Sequence, residues 1–219
     1  MPAINLAKIK RPFPPAKLLS PESPDDFISC QELKSWSTNI FIVEGAQLHI
    51  PELAHLTQAT IGFLLTNVRC VRQMRPVVGM TKLCRPNPTL DDWAKAQYWH
   101  QVRGWFPPDL DQPTYKPPDF LITLYAPYAA ECDNASFCAL VVHELLHCGV
   151  RSYTKKGKAI WGIQGHDVEE HVAVVKYFGV GAAAGRTKEL VEVARQKPLF
   201  GQARINGTCG TLGCKLLAA

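Results

Sequence analysis

One segment constrains this chain more than any other: S-F-C-A-L-V-V-H-E-L-L-H-C-G-V, residues 136–150. Phe137, Ala139, Leu140, Val141, Val142, Leu145 and Leu146 would occupy nearly every side of a helix, so the pattern predicts a buried one. The polar residues at the head of E-C-D-N-A-S are suited to cap its start, and Gly149 to end it. Polar groups in such a helix cost roughly 2–7 kcal/mol each unless they find partners. His143 and His147 stand one turn apart and leave the helix on the same face. Two imidazoles at that spacing can share one tetrahedral metal ion, which removes the burial cost. Glu144 lies beside the pair, where its carboxylate reaches a metal-activated water as general base, the arrangement of H-E-x-x-H zinc hydrolases. A chance helix with two satisfied core histidines would spell the same letters without chemistry.

A catalytic zinc usually takes three protein ligands, so a third must come from elsewhere. The pattern H-E-x-x-H-x-x-G-x-x-H is excluded, because Val150 and Tyr153 stand where its glycine and third histidine would be. No histidine lies between residues 148 and 165. The remaining donors sit in G-H-D-V-E-E-H, namely His166, Asp167, Glu169, Glu170 and His171. Acids not used as ligands suit the first turn of a helix, or can accept the far N–H of a liganding imidazole. Arg151, Tyr153 and Tyr177 are candidates for stabilising an oxyanion, and nothing in the sequence selects one of them.

Around this motif the chain reads as one α+β unit of 219 residues. Residues 1–28 carry Pro12, Pro14, Pro15, Pro21 and Pro24 and read as a Pro-rich arm; residues 29–199 form the domain, and the Gly-rich stretch 200–219 reads as a flexible tail. N-I-F-I-V-E-G-A-Q-L-H-I predicts a strand pair about Gly45, and P-E-L-A-H-L-T-Q-A-T-I-G-F-L-L-T-N-V a buried helix opened by Pro51. R-P-V-V-G-M is strand or loop; a helix follows, capped by Thr89 or Asp91. D-F-L-I-T-L-Y predicts a strand, R-S-Y-T-K-K-G-K-A-I-W-G-I-Q-G a loop or hairpin, H-D-V-E-E-H-V-A-V-V-K-Y-F-G a helix, and T-K-E-L-V-E-V-A-R-Q a short last one. No apolar run is long enough to span a bilayer, and the N-terminus lacks the apolar core of a signal peptide, so a cytoplasmic protein is expected. Eight cysteines without a C-x-x-C pair exclude a zinc ribbon and predict that most are reduced, buried thiols. The net charge of +5 is mild, although Arg69, Arg72, Arg75, Lys82 and Arg85 cluster.

D-F-L-I-T-L-Y, A-L-V-V-H-E-L-L-H-C-G and G-H-D-V-E-E-H-V-A-V-V-K-Y-F-G together resemble the phage metallopeptidases, a group related to the SprT-like zincins, and H-L-T-Q-A-T-I-G-F-L-L resembles their upstream helix. The resemblance spans roughly residues 36–180. It implies a zincin-like domain, with a small sheet packed on helices that include the H-E-L-L-H helix. It also implies Zn²⁺ as cofactor, a protein or peptide substrate, and a phage or prophage origin with action in the bacterial cytoplasm. In SprT-like proteins the third ligand is a histidine just before a helix, in an H-G-x-x-F context, and carried over this points to His166. Asp167 stands in place of that Gly, and Glu170 remains a competing ligand. Two other functions fit the same residues. One is a zinc-stabilised interaction protein without turnover, which has no need of Glu144. The other is a protease acting on DNA-bound proteins, for which the Arg69–Arg85 cluster would supply the contact.

Overall fold

The computed structural model describes residues 6, 9–72, 74–108, 114–168, 187–197, 199–200, 203 and 207–211. Its centre is a mixed sheet with strand order β1-β2-β5-β4-β3 and with β8 also paired to β4. The strands are β1 (Phe27–Ser29), β2 (Ile61–Thr66), β3 (Val71–Arg72), β4 (Arg75–Leu83), β5 (Phe120–Tyr125) and β8 (Thr208–Cys209). A separate hairpin is formed by β6 (Cys148–Tyr153) and β7 (Ala159–Ile163). The helices are α1 (Gln31–Ser37), α2 (Asp92–Trp105), α3 (Ala126–Glu131), α4 (Asn134–Leu146) and α5 (Thr187–Ala194).

The sheet is built by two apolar runs lying side by side. β2 and β5 pair in parallel from Ile61 opposite Phe120 to Thr66 opposite Tyr125. Both runs are largely buried, as expected of strands covered on two faces. Their alternation sorts the side chains: Ile61, Phe63, Leu65, Phe120, Ile122 and Leu124 enter the main core with Phe137, Leu140 and Val141 of α4. Leu121 faces the other way, onto Val102 of α2. Gly62 lies under the Phe106 ring just past α2, so close that a Cβ would come within 2.6 Å of the ring. The sheet is thus sandwiched between α4 and α2, a mixed α+β architecture of small sheet and helices.

Two predicted elements fold differently. Pro51–Gln58 is a 3-10 helix that ends before Ile61, and the run that follows is β2 rather than the helix expected over 51–68. Its apolar residues cannot tell a buried strand from a buried helix by period alone, and pairing with β1 and β5 on both edges decides it. The strand pair expected about Gly45 is instead a π-helical turn, Thr38–Ile42, that continues α1. The Ser37 and Thr38 hydroxyls both donate to the Lys34 carbonyl, at 3.0 and 2.9 Å, which holds the chain in helical conformation across the junction.

The arm expected over residues 1–28 places Leu6, Ile9 and Leu18 in the main core. Of the tail, residues 207–211 lie against β4, with Thr208–Cys209 paired to it as β8. The helix expected from His166 to Gly179 falls outside the described residues beyond Val168, as do Glu169, Glu170, His171 and Tyr177. No disulfide joins the described cysteines. No helix among the described residues is long and apolar enough to cross a membrane.

Candidate metal centre

α4 begins with the Asp133 side chain accepting from the Ser136 N–H at 2.7 Å, and ends at Leu146 with His147 as its C-cap. Gly149 was expected to end it, but the chain turns two residues earlier, directly into β6. The carbonyls at that point are taken by other elements: Gln164 N–H donates to the His147 carbonyl at 2.9 Å, and His55 Nε2–H to the Cys148 carbonyl at 2.7 Å. The β6–β7 hairpin therefore leaves α4 and returns to it, delivering residues 164–166 to the point where the helix stops. A gap of eighteen residues between His147 and His166 is closed this way.

The three imidazoles meet there. Ring centroids are 5.0 Å apart for His143–His147, 5.1 Å for His143–His166 and 4.7 Å for His147–His166. The Nε2 atoms of His143 and His166 are 3.2 Å apart, close to the edge of about 3.3 Å that a tetrahedron with zinc–nitrogen bonds near 2.0–2.1 Å requires. His147 donates from Nδ1 to the Gln164 carbonyl at 2.6 Å, which leaves the Nε2 lone pair toward the cluster. A fourth donor is present: Cys209 Sγ lies 3.4 Å from His147 Nε2, and the ligand atoms of His143, His147, His166 and Cys209 all fall within 4.8 Å of one another. His147 is buried, His143 and Cys209 are partly buried and His166 is exposed, so the cluster reaches the surface on the His166 side. Burial, and then the charges of His147 and His166, push the His143 pKa down to about 4; burial also lowers that of His147. Both are neutral at pH 7, the form that binds metal.

Glu144 is fully buried. Its Oε2 accepts from Thr81 Oγ1–H at 2.7 Å and from Thr211 Oγ1–H at 3.2 Å, while Oε1 accepts no hydrogen bond among the described residues. Burial raises its pKa, and the Thr81 hydroxyl, the Cys209 thiol and the Thr211 hydroxyl pull the other way. The carboxylate fits beside β4 only because residue 79 is glycine: a Cβ there would meet Oε1 at 2.5 Å. A nitrogen donor set, neutral imidazoles and a buried carboxylate with an acceptor oxygen unspent suit a metal ion and its water.

The family described as Putative phage metallopeptidase matches residues 34–195. The chain belongs to this family. The match takes in α4, the hairpin and three of the four clustered donors; Cys209 lies beyond it. Membership makes the chain a metallopeptidase at the level of the family's description, with a metal ion and a protein or peptide substrate as what such an enzyme needs. No curated protein and no solved structure matches significantly.

Of the residues singled out in the sequence, His143, His147 and His166 are brought together with Glu144 next in sequence to His143. Asp167 is described and exposed, whereas its neighbours Glu169, Glu170 and His171 lie outside the described residues. Arg151 and Tyr153 are exposed on β6. Arg72 of the basic cluster donates to the carbonyls of Gly210 and Thr211 at 3.1 and 2.9 Å. Sequence reasoning missed Thr81, Cys209 and Thr211. Thr81 and Thr211 carry no local signal, and Cys209 sits between glycines in a stretch whose composition suggested looseness.

Proposed function

We propose that the protein is a zinc peptidase of the H-E-x-x-H type with a zincin-like fold, in which His143, His147 and His166 hold the metal and Glu144 is the general base. The observation that carries this reading is the convergence of three imidazoles from two separate elements within 4.8 Å, at the end of the helix that bears a buried carboxylate. A zinc ion bound there would supply Lewis acidity to a water molecule and to the scissile carbonyl.

The chain's own residues do the rest. His143 and His147 present neutral nitrogens from one helix face, with the Gln164 carbonyl fixing the His147 tautomer. His166 approaches from the hairpin's return, on the exposed side where a substrate can enter. Glu144 takes a proton from the attacking water and returns it to the leaving amine, Thr81 holding the opposite carboxylate oxygen. A phage or prophage origin, and hence action in the bacterial cytoplasm, belongs to the same reading through the family.

Metal analysis of the purified protein tests it. One zinc per chain is expected, lost in His143→Ala and His166→Ala, and kept in Glu144→Gln. Glu144→Gln should lower peptide hydrolysis by about 10²–10⁴-fold, the usual contribution of a positioned general base. Zinc retained in His166→Ala would move the third ligand to an acid such as Glu170. A second reading, a zinc-stabilised protein without turnover, draws support from Cys209, because a fourth protein donor is the mark of a closed site. It expects Glu144→Gln to change nothing but stability.

A further inference from the structure

The segment Gly207–Thr211 lies outside the matched residues 34–195, yet it touches both halves of the site. Cys209 Sγ is 3.4 Å from His147 Nε2. A tetrahedral zinc with one sulfur at about 2.3 Å and one nitrogen at about 2.0–2.1 Å has an S···N edge of about 3.5 Å, so the thiol stands where a fourth ligand would. Two residues on, the Thr211 hydroxyl donates to Glu144 Oε2 at 3.2 Å and accepts from the Thr81 N–H at 2.7 Å. The segment is fastened along β4: Gly210 N–H donates to the Gly79 carbonyl at 2.7 Å, and Arg72 binds the Gly210 and Thr211 carbonyls. Its glycines are required for this seat. A Cβ on Gly210 would meet Val77 Cγ1 at 2.5 Å, and one on Gly207 would collide with Val78.

A second observation makes the contact more than one cysteine near one histidine. Glu144 is 0% exposed, with Oε1 unpartnered among the described residues, although a general base has to reach a water. The segment that places Cys209 on the histidines is the one that places Thr211 on this carboxylate.

We propose that Cys209, as its thiolate, is the fourth ligand of the His143–His147–His166 metal site, and that Gly207–Thr211 is an intramolecular plug that closes the site until it withdraws. The inference rests on the metal site proposed above. A catalytic zinc keeps one position open, and a structural one does not. With Cys209 bound the site is structural in form; with the segment lifted from β4 it has three histidines and an open position. One chain thereby accommodates both readings of the site, as latent and active states.

Cobalt(II) replaces zinc and reports its ligands by absorption. The full-length chain loaded with cobalt should bind one ion and show a near-ultraviolet thiolate-to-cobalt charge-transfer band. Cys209→Ser and Cys209→Ala should keep the ion and lose the band, circular dichroism confirming that each variant folds. Acetohydroxamate, a small bidentate probe, should shift the visible cobalt spectrum of Cys209→Ser and leave that of the wild type unchanged. Cobalt bound without the band, a band that survives in both variants, or an equal hydroxamate shift in wild type and variant would each overturn the plug while leaving the three-histidine site standing. A wild type that binds no cobalt at any loading would overturn the site itself, and the plug with it.

Discussion

Gly79 and Thr81 show how much of the site depends on residues that do no chemistry. Both lie on β4 and both meet the Glu144 carboxylate, one by having no side chain and the other by donating a hydrogen bond. In Gly79→Ala the new methyl would come 2.5 Å from Oε1 and 2.9 Å from Leu140 Cδ1, so the carboxylate has to move. We expect a cost of about 1–3 kcal/mol, as for other overpacked sites, read from denaturant unfolding. Peptide hydrolysis should fall further than that loss of stability explains, because the displaced group is the proposed base. Thr81→Val keeps the volume but removes the donor to Oε2 and to the Glu144 carbonyl, the latter at 2.9 Å. Leaving a buried carboxylate short of a donor should cost about 1–3 kcal/mol, and Thr81→Ser should restore most of it. A Thr81→Val protein as stable as the wild type would show that Thr211 alone satisfies Oε2.

At the scale of elements, α4 is the piece most fully written in the sequence. Its apolar residues, its Asp133 cap and its two histidines all point to one structure, and the helix forms over Asn134–Leu146. The strand β5 was equally legible, since a short apolar run between prolines has little alternative. β2 was not, because its strand character comes from partners more than fifty residues away along the chain on one side and about forty on the other. Cys209 was hidden for the same reason: nothing local to G-T-C-G-T says which β-strand its glycines will lie against. The cap makes a testable element. The Ser136 N–H holds the Asp133 pKa below its ordinary value of 3.8, with burial opposing and Arg11 assisting. A carboxylate whose folded pKa is lowered stabilises the fold above its unfolded pKa. That contribution fades as the pH falls through the lower, folded value. The wild type should therefore lose the cap's stabilisation below about pH 4, and Asp133→Ala, lower by about 1 kcal/mol at pH 7, should converge with it in acid. Urea unfolding of both proteins at pH 7 and pH 3 gives the comparison, and a gap unchanged at pH 3 would deny the cap its charge.

Over the whole molecule, α4 is held at both ends by chain that the family match of 34–195 leaves out. The C-terminal end of the helix carries the histidines and meets Cys209 and Thr211; the N-terminal end meets Arg11. This guanidinium donates to Asn134 Oδ1 at 3.1 Å, to the Cys132 carbonyl at 2.7 Å and to the Ala129 carbonyl, and its carbon lies 4.5 Å from the centre of the Phe137 ring. Asn134 in turn donates to the Leu6 and Ile9 carbonyls at 3.0 and 2.9 Å, so arm and helix are tied from both sides. Arginine's planar fork reaches three acceptors where a lysine presents one point charge, and it stacks on an aromatic face where an ammonium gains less. Charge-assisted hydrogen bonds contribute about 1.5–3 kcal/mol each, not additively, so Arg11→Ala should lower stability by about 2–4 kcal/mol and Arg11→Lys should recover less than half of that. The zinc stoichiometry of both variants should stay at one, because the clustered donors that α4 carries, His143 and His147, lie at its other end. Hydrogen exchange should show the loss concentrated in the first turns of α4 and in α3. A loss spread evenly over the sheet would mean instead that Arg11 acts on global folding and that the arm is no local clamp.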